Sequence, residues 1–367
     1  MASSFKTIDP ADIVSTRTLL HEAIPLTGTI VNYATGAYGD ANIKNYAHGM
    51  FQSVYDYPYL SSSANHIFDL TIGYPEAGGL AATSNTMNAK KKNIYNEMAQ
   101  VLAGFDESGN VRQFDRDGDL TGGEKFHDAL FINFTRLLAK DEIKKGSFSL
   151  ELGVGLQYDV TQGTFDERIL ITDPSGSTGF KVNSPAGEYG LLYATDGAGT
   201  PLVDGHGSQP CGLLYYQAGI CVLTGGVFLG TSDGGWLDTT CMFGDPNEIG
   251  SGMRNIQSVL TGSTISASCN YFRHRVYNLS FNNTTELNST IYFCRANHGD
   301  FNYSSNPTYL SSSKMVVKNN STDSPVSYTT GVGLYSADNE LLAVAKLSEP
   351  LKKDPNSELT LRVRLDY

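Results

Sequence analysis

"EKFHDALFINFTRLLAKDEIKKG", Glu124 to Gly146, is the stretch on which the fold class turns. Phe126, Leu130, Phe134, Leu137 and Leu138 recur close to helical spacing, and lysines accumulate before Gly146, where a helix would stop. The pattern predicts an amphipathic helix. Two neighbours extend the reading toward the N-terminus. "MNAKKKNIYNEMAQVLAGF", Met87 to Phe105, places Ile94, Met98, Val101, Leu102 and Phe105 three and four residues apart, with Gly104 as a stop. "NIKNYAHGMFQSVYDYP", Asn42 to Pro58, predicts a shorter helix ended by Pro58.

From Ser147 the period changes. "SFSLELGV" alternates Phe148, Leu150, Leu152 and Val154 against Ser149 and Glu151, which predicts a half-buried strand. Turn-forming clusters such as "DPSGSTG", "SPAGEYG" and "TDGAGT" then follow at short intervals. "GLLYYQAGICVLTG" reads as two strands joined by a turn in which Gly219 is free to take positive φ. The expected fold class is α+β: a helical N-terminal third, then mainly antiparallel β structure, sandwich-like or built of packed hairpins. The expected regions are 1–146, 147–260 and 261–367.

Near the C-terminus, "TTGVGLYSADNELLAVAKLSEPLKK", Thr329 to Lys353, predicts a hairpin turning at "SADNE". "SELTLRVRLDY" alternates Leu359, Leu361, Val363, Leu365 and Tyr367 against polar residues, the pattern of a paired strand. Something must cover these apolar faces. The residues expected to form an assembly interface are Val332, Leu334, Tyr335, Leu341, Leu342, Val344, Leu361, Val363, Leu365 and Tyr367.

The formal charge of the 367-residue chain is −12, from 38 acidic and 26 basic residues, which repels phosphate backbones and acidic membrane surfaces. Neither nucleic acid nor a membrane is an expected partner. The acidic start "MASSFKTIDPADIV" lacks the basic and apolar regions of a signal peptide, so synthesis in a cytoplasm is expected. The sequons at Asn133, Asn278, Asn282, Asn283, Asn288, Asn302, Asn319 and Asn320 are then read as Asn-rich turns. The uncharged run Gly212 to Ser232 is broken by Gln217, Thr224 and glycines into strand-sized pieces. Five cysteines, scattered and odd in number, suggest buried thiols in place of a disulfide framework.

Several of these stretches carry a resemblance. "VGLYSADNELLAVAKLSEPLKK", preceded by "FCRANHGDFNYSSNPTYL", is similar to the C-terminal module of large virion structural proteins of marine, T4-like tailed bacteriophages. "RTLLHEAIPLTGTIV", "KNYAHGMFQSVYDYPYLSSSANHIFDLTIG", "FHDALFINFTRLLAKDEIKKGSFSLELGV" and "GLLYYQAGICVLTGG" look like the same proteins. The hairpin also resembles the baseplate-attaching part of P2-like tail-collar fibre proteins. The resemblance implies a non-catalytic component of the tail, baseplate or neck, located in the virion, with other virion proteins and copies of itself as partners. It implies no cofactor and no catalytic residue.

The residues offer some chemistry of their own. Asp115, Asp117 and Asp119 in "FDRDGDLTGGEKF" have the spacing that opens a calcium loop, but Leu120 stands where the turn glycine belongs and Phe126 where a glutamate belongs. Acidic, glycine-rich turns share the pattern. "GTSDG" matches a nucleophile elbow around Ser232, although glycines and Pro246 follow where a helix is required. Cys269, His274, Cys294 and His298 could supply tetrahedral zinc ligands, or be buried thiols and hydrogen-bonded imidazoles. A carboxylate pair for glycan cleavage is set by folding and cannot be read from spacing. The tyrosine-rich "YDYPYLSSS" and "FNYSSNPTYL" suit either exposed contacts or packing, which leaves a host-surface glycan-binding or glycan-degrading tail protein as the alternative function.

Overall fold

The computed structural model describes residues 5–24, 39–76, 78, 80, 85–120, 122–138, 142–155, 158–159, 164–165, 167–207, 209–243, 254–303, 310–311, 314–315, 322 and 325–366. Two compact units emerge, His21–Thr285 and a second assembled from Met1–Leu20 with Glu286–Tyr367. The strand Val276–Ala296 belongs to both.

The N-terminal third is not helical; the described chain is mainly antiparallel β. Among the described residues there, the one α-helix, α1, is Thr86–Leu102, capped by the Asn85 side chain accepting from the Asn88 N–H at 2.8 Å. It buries Ile94 and Leu102 as expected, yet Val101 and Phe105 face solvent while Lys91, Tyr95 and Ala99 complete the inner face. Asn42–Pro58 is instead a hairpin of Ile43–Asn45 with Gln52–Tyr55. Glu124–Gly146 becomes the strand Ala129–Asn133, the 3-10 turn Thr135–Leu137 and the short strand Glu142–Ile143. Ala129, Leu130, Phe131 and Ile132 are all fully buried. A short run covered on both faces has no two-residue alternation, and its apolar density imitates a helix.

In His21–Thr285 this strand sits within one antiparallel sheet. Its order runs from Val276–Ala296 through Ser149–Gly153, Arg168–Thr172, Gly187–Thr195, Pro210–Tyr215, Ile220–Leu223, Ala129–Asn133, His66–Gly73 and Gln52–Tyr55 to Ile43–Asn45. The Pro210–Tyr215 and Ile220–Leu223 hairpin forms as expected, with Gly219 at φ 65° in its turn. Helix α1 lies directly on the sheet: a Cβ at Gly73 would come within 2.7 Å of the Lys91 carbonyl oxygen and 2.8 Å of the Tyr95 nitrogen. Two short helices follow, α2 (Ile256–Gly262) and α3 (Ile265–Arg273), with side-chain caps from Asn255 and Thr264. The Lys91 ammonium closes the α2 end by donating to the Leu260 and Ser263 carbonyl oxygens, the latter at 2.6 Å.

In the second unit, Leu359–Asp366 pairs antiparallel with Val276–Ala296, from Ser289 opposite Asp366 to Ala296 opposite Leu359. Ser327–Tyr335 pairs with Leu341–Lys353 as a separate two-stranded sheet, turning where "SADNE" predicts, with Asn339 at φ 65°. Among the described residues no helix is long and apolar enough to cross a membrane.

Candidate functional site

The Asp115 loop hangs between two buried aromatic anchors, Phe114 and Phe126, joined by the Phe126 N–H donating to the Phe114 carbonyl at 2.9 Å. This closure brings carboxylate oxygens of Asp115, Asp117 and Asp119 within 4.8 Å of one another, Asp115 buried and the other two exposed. Leu120 takes φ 63°, the left-handed conformation that a calcium loop gives to glycine, and its N–H donates to Asp115 Oδ2 at 2.7 Å. These three acids are the residues here that could hold a hard divalent cation. Lys125 Nζ lies 2.8 Å from Asp115 Oδ1 and already compensates its charge, while the Phe126 side chain carries no oxygen and its carbonyl accepts from the Tyr95 hydroxyl. Burial raises the Asp115 pKa, and the Lys125 ammonium opposes that shift.

Beside this loop, a shallow cavity of about 400 Å³ is lined by Arg116, Lys125, His127, Asp128, Thr224 and Trp236, among others. Arg116 pairs with Asp204 and Glu124, and its guanidinium lies 5.2 Å from the Trp236 ring centre. Asp128 Oδ1 accepts from Thr224 Oγ1 at 2.7 Å and from the Gly225 N–H at 3.0 Å. Desolvation raises the Asp128 pKa above the usual carboxylate range. Such a carboxyl can exchange hydrogen bonds with a polar ligand. It is the one carboxylate among the described lining residues, whereas glycoside cleavage uses two. Asp128 lies inside the stretch whose spacing predicts a helix, and Trp236 is the chain's single tryptophan, a residue type that often marks a contact surface.

The zinc candidates divide between the units, Cys269 and His274 in His21–Thr285 and Cys294 and His298 in the second; among the described residues, the Asp115 cluster is the grouping that meets a metal-ligand spacing. Cys269 Sγ faces the Leu70 carbonyl oxygen at 3.5 Å, His274 Nε2 lies 2.9 Å from the Arg273 guanidinium, and His298 Nε2 lies 3.2 Å from Glu358. Burial beside Arg273 and Arg275 pushes the His274 pKa well down, and Cys294 pairs opposite Leu361 in a strand. Cys211, Cys221, Cys241 and Cys269 are buried free thiols. Ser232 lies in the 3-10 turn Thr231–Asp233, with no helix behind it.

The expected interface residues divide by exposure. Leu342 is 66%, Val344 61% and Leu341 53% exposed, and Tyr335 is exposed as well. Val332, Leu361, Val363 and Leu365 are half-buried, Leu334 is buried, and Tyr367 lies outside the described residues. Tyr328 and Leu351, not singled out from the sequence, also face solvent on this hairpin. No protein-family model, no curated protein and no solved structure matches the chain. Every residue of the hydrophobic core cluster lies between Ile43 and Phe281. Among the described residues of the second unit, Leu334 is the only buried apolar side chain.

Proposed function

We propose that this chain is a non-enzymatic structural subunit of a tailed-phage virion, a baseplate, neck or fibre-attachment component that works by protein–protein assembly. The observation that supports this reading is the exposure of the second unit's hairpin: Tyr328, Tyr335, Leu341, Leu342, Val344 and Leu351 face solvent, and among the described residues of the unit Leu334 is the one buried apolar side chain. A two-stranded hairpin is marginal alone, and clustered apolar exposure marks a contact surface. The phage assignment itself comes from the sequence resemblance. The test is Leu342→Glu with Val344→Glu in phage that assemble this protein. Both side chains face solvent, so the variant should fold and yet be missing from purified particles; normal incorporation overturns the reading.

One observation favours recognition of a host surface as a second reading. Tyr57, Tyr59 and Leu60 are exposed together in the turn after Gln52–Tyr55, and Tyr303 is exposed in the second unit. Binding of the isolated chain to host cells, lost on Tyr59→Ala with Leu60→Ala, would favour this second reading.

A further inference from the structure

The hairpin has two edges, and they differ. On Leu341–Lys353 the register slips: Thr329 is opposite Leu351 while Gly331 is opposite Lys346, so Leu347 to Pro350 bulge out of the ladder. A bulge, a proline and the flanking Lys346, Glu349 and Lys352 are devices that stop another strand from adding to an edge. The Ser327–Tyr335 edge has none of them. Its nine residues include no charge and no proline, and among the described residues it pairs with Leu341–Lys353 alone. At its two ends the strand has contacts of its own: Phe5 packs on Tyr335 with ring centres 4.4 Å apart, and the buried Ser327 hydroxyl donates to the Phe301 carbonyl, while Tyr328, Thr330, Gly331 and Gly333 between them are exposed.

We propose that this edge pairs with the same edge of a second copy of the chain, antiparallel about a two-fold axis at Gly331, fusing two hairpins into one four-stranded sheet. This deepens the assembly reading and rests on it. Three observations favour a second copy as occupant. The register centred on Gly331 is the one that pairs all nine residues. It sets Thr330 opposite Val332 of the partner subunit and Tyr328 opposite Leu334 of the partner subunit, each pair occurring twice, combinations that stabilise antiparallel sheets. Finally, two chains of formal charge −12 repel each other, but residues 327–353 balance Asp338, Glu340 and Glu349 against Lys346, Lys352 and Lys353. The hairpin is a surface on which copies approach without net repulsion. Closure by a two-fold axis uses one patch on both molecules.

The test measures molar mass of the full chain by sedimentation equilibrium across micromolar concentrations. Wild type should reach twice the monomer mass. Thr330→Lys with Val332→Lys places like charges directly opposite at both pairs and should weaken association at least about tenfold. Thr330→Glu with Val332→Lys keeps the same substitution at 332 but sets opposite charges face to face. It should remain dimeric, more so at low salt. A monomeric wild type, or a double-lysine variant that dimerises like wild type, overturns the pairing. If wild type is monomeric while the Leu342→Glu, Val344→Glu chain is missing from particles, the self-pairing falls and assembly on a different protein stands. Normal incorporation of that variant removes the assembly reading itself.

Discussion

In His21–Thr285 the strand Ala129–Asn133 is sealed on both faces, whereas in the second unit the strand Leu341–Lys353 leaves Leu342 and Val344 in solvent. The first five residues of the second strand, Leu341–Ala345, are as apolar as Ala129–Asn133. The difference lies in how they are covered: Ala129–Asn133 lies between His66–Gly73 and Ile220–Leu223 with Phe114 packed on Phe131, whereas among the described residues Leu341–Lys353 has one paired neighbour, Ser327–Tyr335. Apolar strands therefore serve two ends here, one internal and one directed outward.

The contrast can be broken by measuring unfolding. Phe131→Ala should lower stability by about 3 to 5 kcal/mol in urea titration, because it opens a cavity in a core without slack. A loss below about 1 kcal/mol would mean that this sheet is no better packed than the hairpin. Gly73→Ala drives a methyl against the α1 backbone and should destabilise by about 1 to 3 kcal/mol, read the same way.

A smaller effect is confined to pH. Burial lowers the Lys91 pKa to about 8, from 10.5 for the ordinary group. Between these values the unfolded state binds more protons, so the Lys91 contribution to stability rises with pH from about 8 to about 10. The buried thiols act in the opposite sense: Cys211 and Cys269 are pushed up to about 12, so folding opposes their ionisation and stability falls as the unfolded thiols titrate. Subtracting the thermal profile of Lys91→Met isolates the lysine, and the difference should grow in favour of wild type as pH rises. A flat difference would place the ammonium in water.

The smallest effect should belong to the hairpin. Leu342→Ser with Val344→Ser should alter unfolding of the dilute chain by no more than about 0.5 kcal/mol, since neither residue leaves solvent on folding. A loss comparable to that of Phe131→Ala would show that the hairpin is covered from within.

The sequence disclosed α1, where helical spacing and Gly104 agree, and both hairpins with strong turn chemistry at Gly219 and in "SADNE", whereas the Asn85 cap emerged from the structure. It misled at Ala129–Asn133, because a buried five-residue strand followed by the 3-10 turn Thr135–Leu137 brings apolar residues to near-helical spacing. The approach of Asp115, Asp117 and Asp119 was legible from alternation. The Lys125 ammonium on Asp115 was not, since loop closure at Phe114 and Phe126 places it. The bulge at Leu347–Pro350 is a matter of register, which no composition encodes.

The out-of-register Leu347–Pro350 segment also limits valency. A hairpin with two receptive rims would recruit chain after chain into a fibril. With one rim capped, the hairpin has a single edge open to strand addition, so under the proposed pairing the sheet stops growing at two hairpins, while Leu342 and Val344 stay exposed.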